Sequence, residues 1–118
     1  MKTRGADPNW TYEEHLLALD LYHRAGRRVL AASDAQVVQL SKQLRSMDLH
    51  PEADRKTVFR SPDSVSRQLK NYRSLEAGGK LDNAGNIGKL HQVVWRTYDH
   101  RSAELRMIAA AVERALVK

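Results

Sequence analysis

Apolar residues recur at intervals of three and four along most of this chain, a spacing that predicts amphipathic α-helices rather than strands. The first helix is expected to begin at the capping box Thr11-Tyr-Glu-Glu14 and to end at Ala25-Gly26, where glycine suits the backbone turn after a helix. A second helix is expected to begin at Ser33-Asp34. Two more are expected nearer the C-terminus, from Leu90 to about Tyr98 and from a cap at Ser102. The pattern therefore predicts a mainly α fold.

The stretch from Phe59 to Leu75 has the most distinctive pattern. Ser61 is suited to cap a helix, and Pro62 is suited to its first position, where a missing N–H costs nothing. The apolar positions recur at i, i+4 and i+7 and are expected to pack inward: Val65, Leu69 and Tyr72. The remaining positions hold basic, hydroxyl and amide side chains. This stretch predicts a third helix with an apolar back and a basic front.

The charge of the chain is unevenly distributed. The net charge is +6, yet residues 1–54 hold 7 Lys and Arg against 8 Asp and Glu, whereas residues 55–118 hold 13 against 6. An excess of cations favours a polyanionic partner, because each phosphate that is neutralised releases condensed counterions. The alternative is a basic protein kept in solution by its charge. The basic front of the third helix favours nucleic acid.

Several classes of function have no support in the sequence. The chain has no cysteine, so disulfides, thiol nucleophiles and cysteine-bound zinc are excluded. The five histidines lack a metal-binding spacing, and the glycine-rich segment lacks the order of a nucleotide-binding loop, because leucine follows Lys80 and Lys89. No apolar run approaches the roughly 20 residues of a membrane helix. We therefore expect a soluble binding protein with no enzymatic activity, metal, cofactor or membrane partner.

The chain is short enough to form a single domain over residues 1–118. A helix-turn-helix-like core of three helices is expected over residues 10–76, and C-terminal helices over 90–118. Between them, residues 77–89 form a glycine-rich loop or a small wing, and glycine density alone does not decide between these. The loop is suited to approach phosphates with its lysines and asparagines, or it is a plain connector.

Two family resemblances agree with this organisation. The first helix, opened by Trp10-Thr-Tyr-Glu-Glu14, and the third, opened by Arg60-Ser-Pro-Asp-Ser-Val65, resemble the three-helix Myb or SANT domains, which are helix-turn-helix relatives. A longer series is similar to the N-terminal domain of bacterial HNH endonucleases: Asn9-Trp-Thr with Glu13-Glu14, Leu16 to Tyr22, His50-Pro51, Phe59 to Pro62 with Leu69, Asn71 and Leu75, and Gly78-Gly-Lys-Leu81 ahead of Val94-Trp95.

The second resemblance implies a module that selects DNA for a restriction-type nuclease, including methylated or otherwise modified DNA. It implies a bacterial cytoplasmic, nucleoid-associated protein whose partner is an HNH nuclease domain. The HNH active-site motif is missing from this sequence, so cleavage itself is not implied.

Duplex DNA is thus the expected partner, with the third helix in the major groove. Arg pairs with guanine, and Gln or Asn with adenine, through two hydrogen bonds each. Base contacts are therefore expected from Arg67, Gln68, Asn71 and Ser64. Phosphate contacts are expected from Arg55, Lys56, Arg60, Lys70, Arg73, Lys80 and Lys89.

One alternative function remains open at this point. The last helix carries an apolar stripe that could serve a protein partner or a homodimer: Leu105, Ile108, Ala109, Val112 and Leu116. The aromatic residues also allow two interpretations. Tyr12 and Tyr98 are either packed in the core or exposed and able to stack on a flipped base.

Overall fold

The computed structural model describes residues 9–47, 59–78 and 88–117. Within these ranges the chain forms helices and no β-strand, which confirms the mainly α fold. The five helices are α1 (Tyr12–Arg24), α2 (Ala35–Ser46), α3 (Pro62–Glu76), α4 (Lys89–Tyr98) and α5 (Ser102–Leu116). The expected glycine-rich wing lies almost entirely outside the described residues. None of the helices in the described part of the chain is long and apolar enough to cross a bilayer.

Local sequence signals set the helix starts. The capping box of α1 is present, since Thr11 Oγ1 accepts from the N–H of Glu14 at 3.2 Å and Glu14 Oε1 accepts from the N–H of Thr11 at 2.8 Å. Asp34 caps α2 and Ser61 caps α3, as expected. The expectation for α5 was wrong by one position, because Ser102 is its first helical residue. The Ser102 hydroxyl instead forms a 2.8 Å hydrogen bond with Nδ1 of His23.

Helix α1 is the centre of the fold. It packs against each of the other four helices, and every residue from Glu14 to Tyr22 is buried. A helix buried on all sides must find partners for its polar side chains. Asp20 does so with Arg24 at 2.9 Å and with Arg106 of α5 at 3.1 Å. These contacts join the last helix to the central one.

The predicted apolar stripes form the core around α1. The three stripe residues of α3 are fully buried, as are Leu105 and Ala109 of α5. The other stripe residues of α5 pack partly buried against the same core: Ile108, Val112 and Leu116. Helix α5 therefore uses most of its apolar stripe within this chain. Helices α2 and α4 pack against opposite parts of the α1–α3 pair and leave one side of α3 exposed.

Candidate nucleic-acid interface

The exposed side of α3 carries three cations, which we call the basic row: Arg67, Lys70 and Arg73. A spacing of three residues keeps them on one side of the helix over about 9 Å of its axis. Arg67 and Lys70 form no ion pair with any residue in the described part of the chain. The basic row is therefore available to an anion from outside.

Two of the four expected base-contacting residues do not lie on this exposed side. Gln68 is 8% exposed and Asn71 is 3% exposed, and both face α4. Their expected exposure in a DNA groove was wrong. Gln68 and Asn71 lie beside the apolar stripe on the surface of α3. Helix α4 covers this polar flank as well as the stripe itself. The fourth residue, Ser64, is half-buried, and its hydroxyl donates to the carbonyl of Ser61 at 2.8 Å.

The buried amides form a network with His91 of α4. His91 Nδ1 accepts from the N–H of Gly88 at 3.2 Å, so its Nε2 carries the hydrogen and donates to Gln68 Oε1. Asn71 Nδ2 donates to the same oxygen at 3.2 Å. The Oδ1 atom of Asn71 is buried and has no hydrogen-bond partner in the described structure. The network fixes the side-chain amide of Gln68 in one orientation.

Arg60 was expected to hold a phosphate, and this prediction was also wrong. The residue is only 2% exposed, and its guanidinium binds both carboxylate oxygens of Glu14, at 2.7 Å and 3.0 Å. It lies against the rings of Trp10 and Phe59, at 5.1 Å and 4.7 Å from their centroids. Glu14 is held in the interior by the capping box, and a buried carboxylate requires a counter-charge. Arg60 supplies this charge.

The remaining expected phosphate contacts divide into two groups. Lys89 is exposed at the first position of α4. Three residues lie outside the described part of the chain: Arg55, Lys56 and Lys80. Of the expected site residues, the structure thus presents the basic row and Lys89 on its surface.

A cavity of about 510 Å³ opens beside the basic row. Its buried lining includes His15, Gln68 and His91, and its exposed lining includes Arg67 and Lys89. Trp10, which precedes α1, supplies an aromatic wall. The lining comes from three helices and the segment before α1, so no stretch of sequence contains a signal for it.

The two histidines of this cavity are neutral near pH 7. Burial and then the adjacent His91 ring, 4.2 Å away between centroids, together lower the pKa of His15 to about 3. Burial likewise lowers the pKa of His91 to about 4. Among the described residues, no group of three His, Cys, Asp or Glu side chains is arranged to hold a metal ion. The cavity therefore offers neutral hydrogen-bonding groups.

Other aromatic residues lie elsewhere. Tyr12 and Tyr98 are partly buried against the core, and hydrogen bonding to Tyr98 adds to burial in raising the pKa of Tyr12. Trp10 packs against the core and is also the aromatic residue that lines the cavity. It is only partly buried.

The chain matches no protein-family model, no curated protein and no solved structure. The resemblance to the N-terminal domain of HNH endonucleases therefore stays a prediction. The features of the structure that bear on function are the exposed basic row and the cavity beside it.

Proposed function

We propose that this protein binds duplex DNA through the exposed side of α3. The observation that carries the proposal is the basic row, in which Arg67 and Lys70 have no ion-pair partner among the described residues. Cations in this arrangement attract a phosphate backbone, because binding releases the counterions condensed on it. Lys89 extends the same surface onto α4.

The contacts of the other basic residues support this proposal. Arg60 pairs with Glu14, Arg27 pairs with Asp99 at 2.8 Å, and Arg106 pairs with Asp20 and Glu113. These cations serve the fold. Arg67 and Lys70 have no ion-pair partner in the described part of the chain, so a role in binding accounts for them better than a role in stability does.

The positions of the amides indicate how DNA is contacted. On the exposed side of α3, Arg67 is the one candidate left from the expected base-contacting residues, because Gln68 and Asn71 are buried. Most of the affinity of this side then comes from phosphates, which position a protein without reading sequence. If Arg67 contacts guanine, Arg67→Ala costs about 1–3 kcal/mol and relaxes preference at one base pair.

We also propose that the domain directs a restriction-type HNH nuclease to DNA. The sequence resemblance supports this part of the proposal, and the mainly α fold is compatible with it. A gel-shift comparison of methylated and unmethylated duplexes tests it. Equal binding to both would remove the argument for a role in modification-dependent restriction.

Binding of a fluorescent random-sequence duplex, followed by anisotropy at two salt concentrations, tests the proposed function. The triple variant Arg67→Gln, Lys70→Gln and Arg73→Gln should bind more weakly. The slope of log affinity against log salt should become shallower by about 0.9 for each lost phosphate contact.

A matched control removes the same charge elsewhere on the surface. Lys42→Gln, Arg101→Gln and Arg114→Gln change three exposed residues of α2 and α5 and its N-cap. This variant should keep most of the affinity. Equal losses in the two triple variants would mean that net charge, and not α3, accounts for binding.

Self-association through α5 is the second candidate, and one observation favours it. Met107 on that helix is 71% exposed, the most of any large apolar residue in the described part of the chain. Most of the neighbouring stripe already packs against the core of the same chain. Light scattering distinguishes the two functions, because a stable dimer without DNA affinity would support the second.

A further inference from the structure

Building on the proposed DNA binding, we propose that the cavity beside the basic row receives a single nucleobase from the bound strand. Trp10 would stack on the base, and Gln68 and His15 would hydrogen-bond its edge. Three independent features of the cavity carry this inference.

The first feature is the orientation of Gln68. Its Oε1 accepts from His91 and from Asn71, so the oxygen is fully engaged on the side facing α4. Its Nε2 has no hydrogen-bond partner among the described residues, yet this atom is not enclosed in the interior. Because Gln68 lines the cavity, the NH₂ group is the polar part left to face it. The cavity therefore presents two N–H donors, which suit a carbonyl or ring nitrogen of a base.

The second feature is a free nitrogen on a buried histidine. His15 is 2% exposed, and its Nδ1 forms a 2.8 Å hydrogen bond with the hydroxyl of Tyr72. The other ring nitrogen, Nε2, has no partner in the described structure, and it is not enclosed either. Because this nitrogen is accessible and His15 lines the cavity, a ligand there can form a hydrogen bond with it. The neutral ring favours an uncharged ligand.

The third feature is the fixed aromatic wall. The guanidinium of Arg60, itself held by Glu14, lies 5.1 Å from the Trp10 centroid. This contact holds the indole beside the cavity without any contribution from a ligand. Stacking of one base on such a ring is worth about 1–3 kcal/mol and tolerates any base.

The charges around the cavity agree with a nucleotide. At the inner end of the cavity, the positive charge of Arg60 is paired with the carboxylate of Glu14. Arg67 and Lys89 are exposed where the cavity meets the surface, in position for the phosphates on either side of an extruded base. The volume of about 510 Å³ falls in the range of small-ligand sites. Proteins that read an extruded base use this combination of stacking and edge hydrogen bonds.

The test compares two duplexes of one sequence, one fully paired and one with a single mismatch. A mismatched base costs less to extrude, so the wild-type protein should bind the mismatched duplex about tenfold more tightly. Trp10→Leu should abolish this preference while retaining binding to the paired duplex. Gln68→Glu, which keeps the accepting oxygen but replaces the NH₂ group, should also abolish it.

The controls separate this inference from the proposed function. The double variant Lys70→Gln and Arg73→Gln, whose two residues do not line the cavity, should weaken binding to both duplexes equally and keep the preference. If the wild-type protein bound neither duplex, the proposed function would be overturned. Binding without any mismatch preference would overturn only the nucleobase inference.

Two further measurements complete the test. Thermal unfolding of each variant identifies any that has lost its fold, and such a variant is replaced by Trp10→Phe or Gln68→Met. Competition with free dGMP distinguishes the source of the base. Weak competition supports a base delivered by DNA, whereas dGMP binding tighter than the duplex would overturn it in favour of a mononucleotide site.

Discussion

The interior beneath α3 and the exposed side of the same helix carry similar side chains and use them in opposite ways. In the interior, Arg60 is bound to Glu14, and Gln68 is bound to His91. On the exposed side, Arg67 has no ion-pair partner in the described part of the chain. Residue type alone therefore does not separate a structural cation from a binding one. The presence of a partner within the fold does.

This difference makes the two regions separable by mutation. A buried charge that loses its partner keeps its full desolvation cost, so removal of the partner lowers the stability of the fold. Replacing an exposed cation by a neutral residue changes the stability of the fold little, so the effect of the replacement is seen in binding. The three predictions below use this distinction.

The largest effect is expected from the same substitution at two arginines. Arg60→Met removes the guanidinium that pairs with the buried carboxylate of Glu14, and it should lower the free energy of unfolding by about 3–5 kcal/mol. Arg67→Met removes an exposed side chain, and it should change stability by less than about 0.5 kcal/mol. Urea unfolding followed by circular dichroism measures both.

The order of the two effects should be reversed for DNA binding, where Arg67→Met should have the larger effect. At a temperature where both are folded, Arg67→Met should weaken DNA binding, and Arg60→Met should leave phosphate contacts in place. If Arg67→Met were the more destabilising variant, the division between a structural interior and a binding surface would be wrong.

The next effect concerns acid stability and tests the buried histidines. The pKa of His15 is about 3 in the folded protein and about 6.5 in an unfolded chain, so between these values only the unfolded state takes up the proton. Its contribution to stability is complete above pH 6.5 and is lost as the pH falls toward 3. The loss amounts to about 1.4 kcal/mol per pH unit. Unfolding free energies measured from pH 7 to pH 4 test this slope.

A matched pair of variants isolates the contribution of His15. His15→Gln keeps a hydrogen-bonding group for Tyr72 and should make the slope shallower by about 1.4 kcal/mol per pH unit. His100, whose side chain is 93% exposed, provides the control, because His100→Gln should leave the slope unchanged. A parallel slope in His15→Gln and wild type would show that His15 does not resist protonation.

The sequence predicted local features of this structure better than distant ones. The caps at Thr11, Asp34 and Ser61 depend on residues at most three positions away, so the sequence contains the whole signal. The role of Arg60 depends on Glu14, which lies 46 residues earlier. No periodicity marks such a pair.

The inner flank of α3 shows the same limit. Its apolar stripe was predicted correctly, because burial of Val65, Leu69 and Tyr72 follows from spacing. The polar character of Gln68 and Asn71 predicted an exposed position, and this was wrong. Their burial depends on the position of α4, which the sequence pattern does not specify. The cavity depends on the same packing and was therefore not predicted.

The smallest effect is expected at Arg27, which lies between the two extremes. Its side chain is 31% exposed and bonds Asp99 at 2.8 Å, with Glu76 at 3.6 Å, so it joins the ends of α1, α3 and α4. The carboxylates raise the pKa of Arg27, which burial alone would lower. Arg27→Gln should cost about 1 kcal/mol of stability, as expected for a partly exposed ion pair.

The same variant should leave DNA affinity unchanged, because its charge is already used within the fold. Arg28→Gln is the matched control, since this exposed neighbour donates a hydrogen bond to the carbonyl of Ala25 and forms no ion pair with a residue that the structure describes. It should cost less stability than Arg27→Gln. If Arg27→Gln weakened DNA binding as much as Lys70→Gln, an internal partner would not exclude a cation from the binding surface. The position of a cation on the surface, and not the presence of an internal partner, would then distinguish binding cations from structural ones.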